Sequence, residues 1–123
     1  MSLAVTVKEQ RVGVFVISPV GSIDSDTYSI LEDRADLILE SSPSEIVFDM
    51  KSVDYMSSAG IRVILKAKKA LKKNEGNVIL VHLQPQVKKV LDIIKALPTM
   101  TVFTSIEELD DYLDKMQRKV KEE

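Results

Sequence analysis

The chain contains no cysteine and no tryptophan, a single histidine, and only four glycines and four prolines in 123 residues. Without cysteine, disulfides, thiolate nucleophiles and cysteine metal sites are excluded. The glycines, at positions 13, 21, 60 and 76, are too scattered to build a phosphate-cradling loop. The one histidine, His82, has no serine or cysteine partner at a catalytic spacing, and no metal-ligand cluster accompanies it. An enzyme is therefore not expected, and neither a cofactor nor a metal. No run approaches the ~20 apolar residues of a membrane span. Met1-Ser2-Leu3-Ala4-Val5 lacks the basic flank and long apolar region of a signal peptide, so a cytoplasmic protein is expected. A net charge of -2 gives no global reason to expect a nucleic-acid partner.

What is present is a globular composition, 45% hydrophobic and 29% charged, sufficient for one domain with a real core. The expected organisation is a single domain over 1–123, with a core of about 3–117 and a charged, fraying tail at 118–123. Alternation at Leu3, Val5, Val7 and then Val12, Val14, Val16 predicts an N-terminal antiparallel hairpin, punctuated by Pro19 and Gly21. Residues 20–23 can form one more short extended piece. A helix follows from about Thr27 to Leu39, with Asp24, Ser25 and Asp26 as candidate caps and Tyr28, Leu31, Ala35 and Ile38 inward. The runs from Ile46 and from Val78 are apolar on both faces, the mark of interior, parallel strands. A helix with Val87, Val90, Leu91 and Ile94 inward starts at Pro85 and ends at Pro98. Thr101-Val102-Phe103 reads as a last strand. Ser105 and Glu108 form a capping box for a final helix lined by Ile106, Leu109, Leu113 and Met116. This is an α/β fold: a mixed central sheet, hairpin first and then alternating elements, with about four helices.

The chain is organised around Val53-Asp54-Tyr55-Met56-Ser57-Ser58-Ala59-Gly60-Ile61-Arg62, which follows the buried strand from Ile46 and leads into a helix ending near Asn74 to Gly76. Two adjacent hydroxyls, Ser57 and Ser58, sit where that helix begins. A serine there caps orphan backbone N–H groups, and the same N–H groups accommodate negative charge. Ala59 and Gly60 keep the turn small, as the close approach of another protein's backbone would require. Arg62, Lys66, Lys69 and Lys73 share one helix face. Lys69 and Lys73 read as solvated charge, whereas Arg62, beside the serines, is placed to meet a partner or a phosphate. From the residues alone, a plain cap and a phosphorylation switch explain the pair equally.

The segment Asp54-Tyr55-Met56-Ser57-Ser58-Ala59-Gly60-Ile61 resembles the signature of STAS domains, specifically the bacterial anti-sigma factor antagonists. Gly21-Ser22-Ile23-Asp24 is similar to a second element of that family, and the order of elements matches from Val5 to about Met116. The resemblance implies a STAS-like fold and a protein whose unmodified form binds an anti-sigma factor that is also a serine kinase, freeing the sigma factor. It implies phosphorylation at Ser58, with Ser57 as the reserve acceptor, and a serine phosphatase that resets the switch. Many members carry aspartate before the acceptor; here Ser57 replaces that charge with a second hydroxyl. The implied partner-binding residues are Asp24, Ser57, Ser58, Ala59, Gly60 and Arg62. The competing reading is a STAS ligand-binding module for a nucleotide or lipid, or a scaffold subunit of a signalling assembly. The chain's length favours the first reading, leaving nothing over for a transporter or sensor domain.

Overall fold

Residues 46–48 and 78–81 are apolar at every position because both faces of the sheet they belong to are covered. The structure, a computed structural model, describes residues 2–93, 96 and 100–122. In chain order it contains β1 (Leu3–Arg11), β2 (Val14–Ile23), α1 (Tyr28–Leu39), β3 (Glu45–Asp49), β4 (Val53–Met56), α2 (Ser58–Lys72), β5 (Asn77–Val81), α3 (Pro85–Ile93), β6 (Thr101–Phe103) and α4 (Ile106–Glu122). The six strands form one sheet in the order β1-β2-β3-β5-β6, with β4 pairing β2 off that path. β1 and β2 are antiparallel; every other pairing is parallel.

Side chains alternate between the faces with period two, so each buried strand feeds two cores. Ile17, Ile46, Phe48, Val78 and Leu80 pack under Leu31, Ala35 and Ile38 of α1, Ile61, Ile64, Ala67 and Leu71 of α2, and Val87 and Leu91 of α3. Val14, Val16, Val47, Ile79 and Val81 face the other way, against Leu109 and Leu113 of α4. Each fully buried aliphatic side chain contributes about 1.5–3 kcal/mol, so the two covered faces hold the sheet. The hairpin, the parallel interior strands, the last strand and four helices all stand where the residue patterns place them.

Several details differ. β2 runs unbroken through Pro19 and absorbs the short piece expected at 20–23. Its residues 14–17 pair with β3 and 21–23 with β4. Pro19 thus falls where the strand changes partners, and its missing N–H interrupts no second ladder. α2 itself keeps its expected bounds: it begins at Ser58 and ends just before the 74–76 stretch, where Glu75 takes the left-handed conformation (φ 61°). Gly76 is required instead for closeness: a Cβ there would lie 3.0 Å from the Ser44 carbonyl oxygen. The Ser105–Glu108 capping box is shifted by one residue. Ser105 Oγ accepts the Glu108 amide at 3.2 Å, but Glu108 Oε2 reaches back to the amide of Thr104 at 2.9 Å. That bond and the Thr104 hydroxyl lower the Glu108 pKa. α4 extends through the charged residues from 118 to Glu122. The expected contributions of Ile94 and Pro98 to α3 lie outside the described residues.

Candidate functional site

β2 and β4 run parallel and finish together, which brings the two distant sequence elements to one edge of the sheet. Ile23 pairs with Met56, and the Ser57 amide donates to the Ile23 carbonyl at 2.8 Å. One residue earlier, the buried Ser22 hydroxyl donates to Asp54 Oδ1 at 2.9 Å. Asp24 and the serine pair therefore leave the sheet side by side, on chains clamped by backbone and side-chain bonds.

The adjacent serines have separate tasks. Ser57 is the N-cap of α2: its backbone is extended (φ -87°, ψ 176°) and its Oγ accepts the Ala59 amide at 3.2 Å. Ser58 is the first helical residue, and its side chain is exposed. The capping function needs one hydroxyl, which leaves the other, on an exposed residue, at the positive end of the helix dipole.

Ala59 and Gly60 turn the opposite way. Both are buried, and a Cβ on Gly60 would lie 2.6 Å from Ile23 Cγ2 and 3.1 Å from Met56 Cγ. The demand for a small residue at 60 thus comes from the close seating of α2 on the ends of β2 and β4. The approach of another protein is not needed to explain it, a correction to the reason read from the sequence.

Asp24 is a turn-builder. Its Oδ1 accepts the amides of Asp26 (2.9 Å) and Thr27 (3.1 Å) and the Thr27 hydroxyl (3.1 Å). The buried Thr27 hydroxyl also reaches the Ser22 carbonyl at 2.8 Å, locking the entry to α1. Thr27 itself is the N-cap of α1 and makes no side-chain cap bond; the Tyr28 amide donates instead to the Asp24 carbonyl at 2.9 Å.

Arg62, one turn beyond Ser58, is exposed and lines a cleft of about 230 Å³ together with Tyr28, Glu32 and Ala59. Lys66, the next residue of the basic row, is engaged by α1: its Nζ lies 3.5 Å from Glu32 and 3.5 Å from Asp36, whose charges raise its pKa, Asp36 most. Of that row only Arg62 borders the serine turn. The sequence reading did not single out Tyr28 or Glu32 as its neighbours, nor Tyr55, which is half-exposed on β4 just before the turn. An aromatic in the signature segment, next to the charged Asp54, is the available signal for Tyr55. His82 is tied at Nδ1 to the buried Asp49 carboxylate at 3.0 Å and holds the end of β5 to the end of β3.

The family model for the STAS domain matches residues 6–109. The chain belongs to the STAS domain family. BtrV of Bordetella bronchiseptica, which carries the name of an anti-sigma factor antagonist, is 30% identical over 95 residues, 77% of this STAS domain and 82% of that protein. An anti-sigma F factor antagonist of Paenibacillus polymyxa is 25% identical over 104 residues, 84% of this chain and 88% of the relative. Among solved structures, an anti-sigma factor antagonist from Mycobacterium paratuberculosis superposes with a TM-score of 0.80 at 25% identity, covering 94% of this chain and 95% of that one. These two homologues and this structural neighbour all carry the name of anti-sigma factor antagonists. Among the described residues no helix is long and apolar enough to cross a membrane.

Proposed function

We propose that this STAS domain is an anti-sigma factor antagonist whose unmodified form binds an anti-sigma factor with serine kinase activity and so releases a sigma factor. The kinase transfers a phosphoryl group to Ser58 Oγ, the complex separates, and a serine phosphatase restores the bare hydroxyl. The site of action is cytoplasmic, where transcription is controlled. The observation that carries this reading is the division of labour in the turn: Ser57 caps the helix while Ser58 faces solvent. The names of the relatives support the class of partner.

The physics makes this a switch of association. A phosphoserine carries roughly -1.5 to -2 charges and three strong acceptor oxygens. At a helix N-terminus such charge is stabilised by about 0.3–1 kcal/mol, so the fold hardly changes. In an interface built for a neutral hydroxyl the same dianion must lose its hydration without a prepared counter-ion. That penalty runs to several kcal/mol, and each ~1.4 kcal/mol is tenfold in affinity. The Asp24 carboxylate, leaving the sheet beside the turn, supplies further negative charge on the same edge. Arg62 is the residue of the basic row best placed to meet a carboxylate of the partner.

Incubation with ATP and histidine-kinase-like anti-sigma ATPases, followed by mass spectrometric mapping, tests this reading. Phosphate on Ser58 is the expected result. Phosphate confined to Ser57, or none with any such kinase, contradicts it.

A further inference from the structure

At the opposite end of the parallel strands from the serine turn, one carboxyl is half-buried, with one of its two oxygens held where charge is poorly accommodated. Glu45 opens β3, paired with Val14 of β2 on one side and Asn77 of β5 on the other. Its Oε2 is buried and is the one such side-chain atom among the described residues without a hydrogen-bond partner. Above it lies α4, whose Tyr112 senses the Glu45 charge and stacks at 5.3 Å against Phe103. The surrounding groups are already committed elsewhere. Asn77 Nδ2 donates to Thr101 Oγ1 at 3.0 Å. From the hairpin, Arg11 is paired with Asp110 and Asp114 of α4, and Glu9 accepts the Gly13 amide at 3.2 Å. The other charged groups of α4 here, Asp110 and Asp114, are acidic, so none of them offsets a negative Glu45.

We infer that Glu45 is a protonation-controlled latch beneath α4: neutral, its buried Oε2 lies under the helix, and ionised, it draws water to that oxygen by loosening the segment around Tyr112. Desolvation raises its pKa from the ordinary 4.5 to about 7, which places the change near neutrality. The Tyr112 hydroxyl is displaced in the same sense, by burial first and by the Glu45 charge second. α4 is the element that covers the second face of the sheet, so loosening it uncovers Val14, Val16, Val47, Ile79 and Val81. The latch acts on that face alone; the helices beside Ser58 pack on the other. The inference therefore stands or falls separately from the phosphorylation reading.

Hydrogen exchange on the full chain, corrected for intrinsic rates, measures the latch between pH 6 and pH 8. Protection of the amides of residues 109–116 is expected to fall roughly five-fold or more relative to those of β3 and β5. In Glu45→Gln the same amides keep their protection across the range. An equal fall in the variant, or a fall shared by every element, overturns the inference. A carbon-13 titration of the Glu45 carboxyl in the unsubstituted protein gives a second readout that needs no variant. A midpoint near 7 is expected, and one in the ordinary carboxylate range overturns the latch.

Discussion

Ser57 and Ser58 are neighbours in the chain with unequal surroundings: the first accepts the Ala59 amide on its hydroxyl at 3.2 Å and is half-buried, and the second is exposed. A helix start has several orphan N–H groups but one N-cap position, so two serines cannot share that role. The structure assigns the cap to Ser57 and leaves Ser58 an exposed residue of the first turn.

This division predicts unequal mutational costs. Ser57→Ala lowers stability by about 1 kcal/mol through loss of the cap. Ser58→Ala changes it by less than about 0.5 kcal/mol, as expected of an exposed residue away from such features. Urea titrations of the two variants decide the matter, and a larger loss for Ser58→Ala would reverse the assignment.

Gly60 is fixed by the core. Alanine is the better helix former by about 1 kcal/mol, yet its Cβ would lie 2.6 Å from Ile23 Cγ2. Overpacking of this kind costs about 1–3 kcal/mol, so Gly60→Ala is expected to destabilise on balance. The loss should shrink in an Ile23→Ala background, where the obstructing methyl is absent. Equal losses in both backgrounds would show that the contact does not govern the position.

Stability should also decline with pH because of Glu45. Its folded pKa of about 7 lies above the ordinary 4.5, so between these values the folded state holds more proton than the unfolded chain. The contribution is complete below about pH 4.5 and is lost as pH rises through about 7. For a half-buried group partly screened by water the difference is on the order of 1 kcal/mol. Glu45→Gln is therefore expected to match the parent at pH 4 and exceed it at pH 8, as read by denaturant titration. A variant no more stable than the parent at pH 8 would contradict this.

Much of this architecture was legible because local patterns and tertiary demands agree. The unbroken apolar runs from Ile46 and Val78 announce strands covered on both faces, and Leu31, Ala35 and Ile38 mark the inward stripe of α1. The two segments that carry the resemblance do meet, Ile23 pairing with Met56 where β2 and β4 end. What escaped the sequence reading depends on pairing at a distance. β4 is four residues long and acquires strand character only by docking on the end of β2. Pro19 reads as a strand end unless one knows that β2 changes partners there. The reason for Gly60 could not be seen without Ile23 beneath it. Glu45 reads as an ordinary surface carboxylate until α4 is laid across it.

The central claim concerns the state of one exposed hydroxyl, and affinity measures it most directly. An anti-sigma factor that captures the unmodified chain should be titrated calorimetrically with the parent, Ser58→Ala and Ser58→Asp. The parent and Ser58→Ala are predicted to bind within a few-fold of one another, and Ser58→Asp more weakly by about 100-fold, the equivalent of ~2.7 kcal/mol. Equal affinities for Ser58→Asp and the parent would contradict the account.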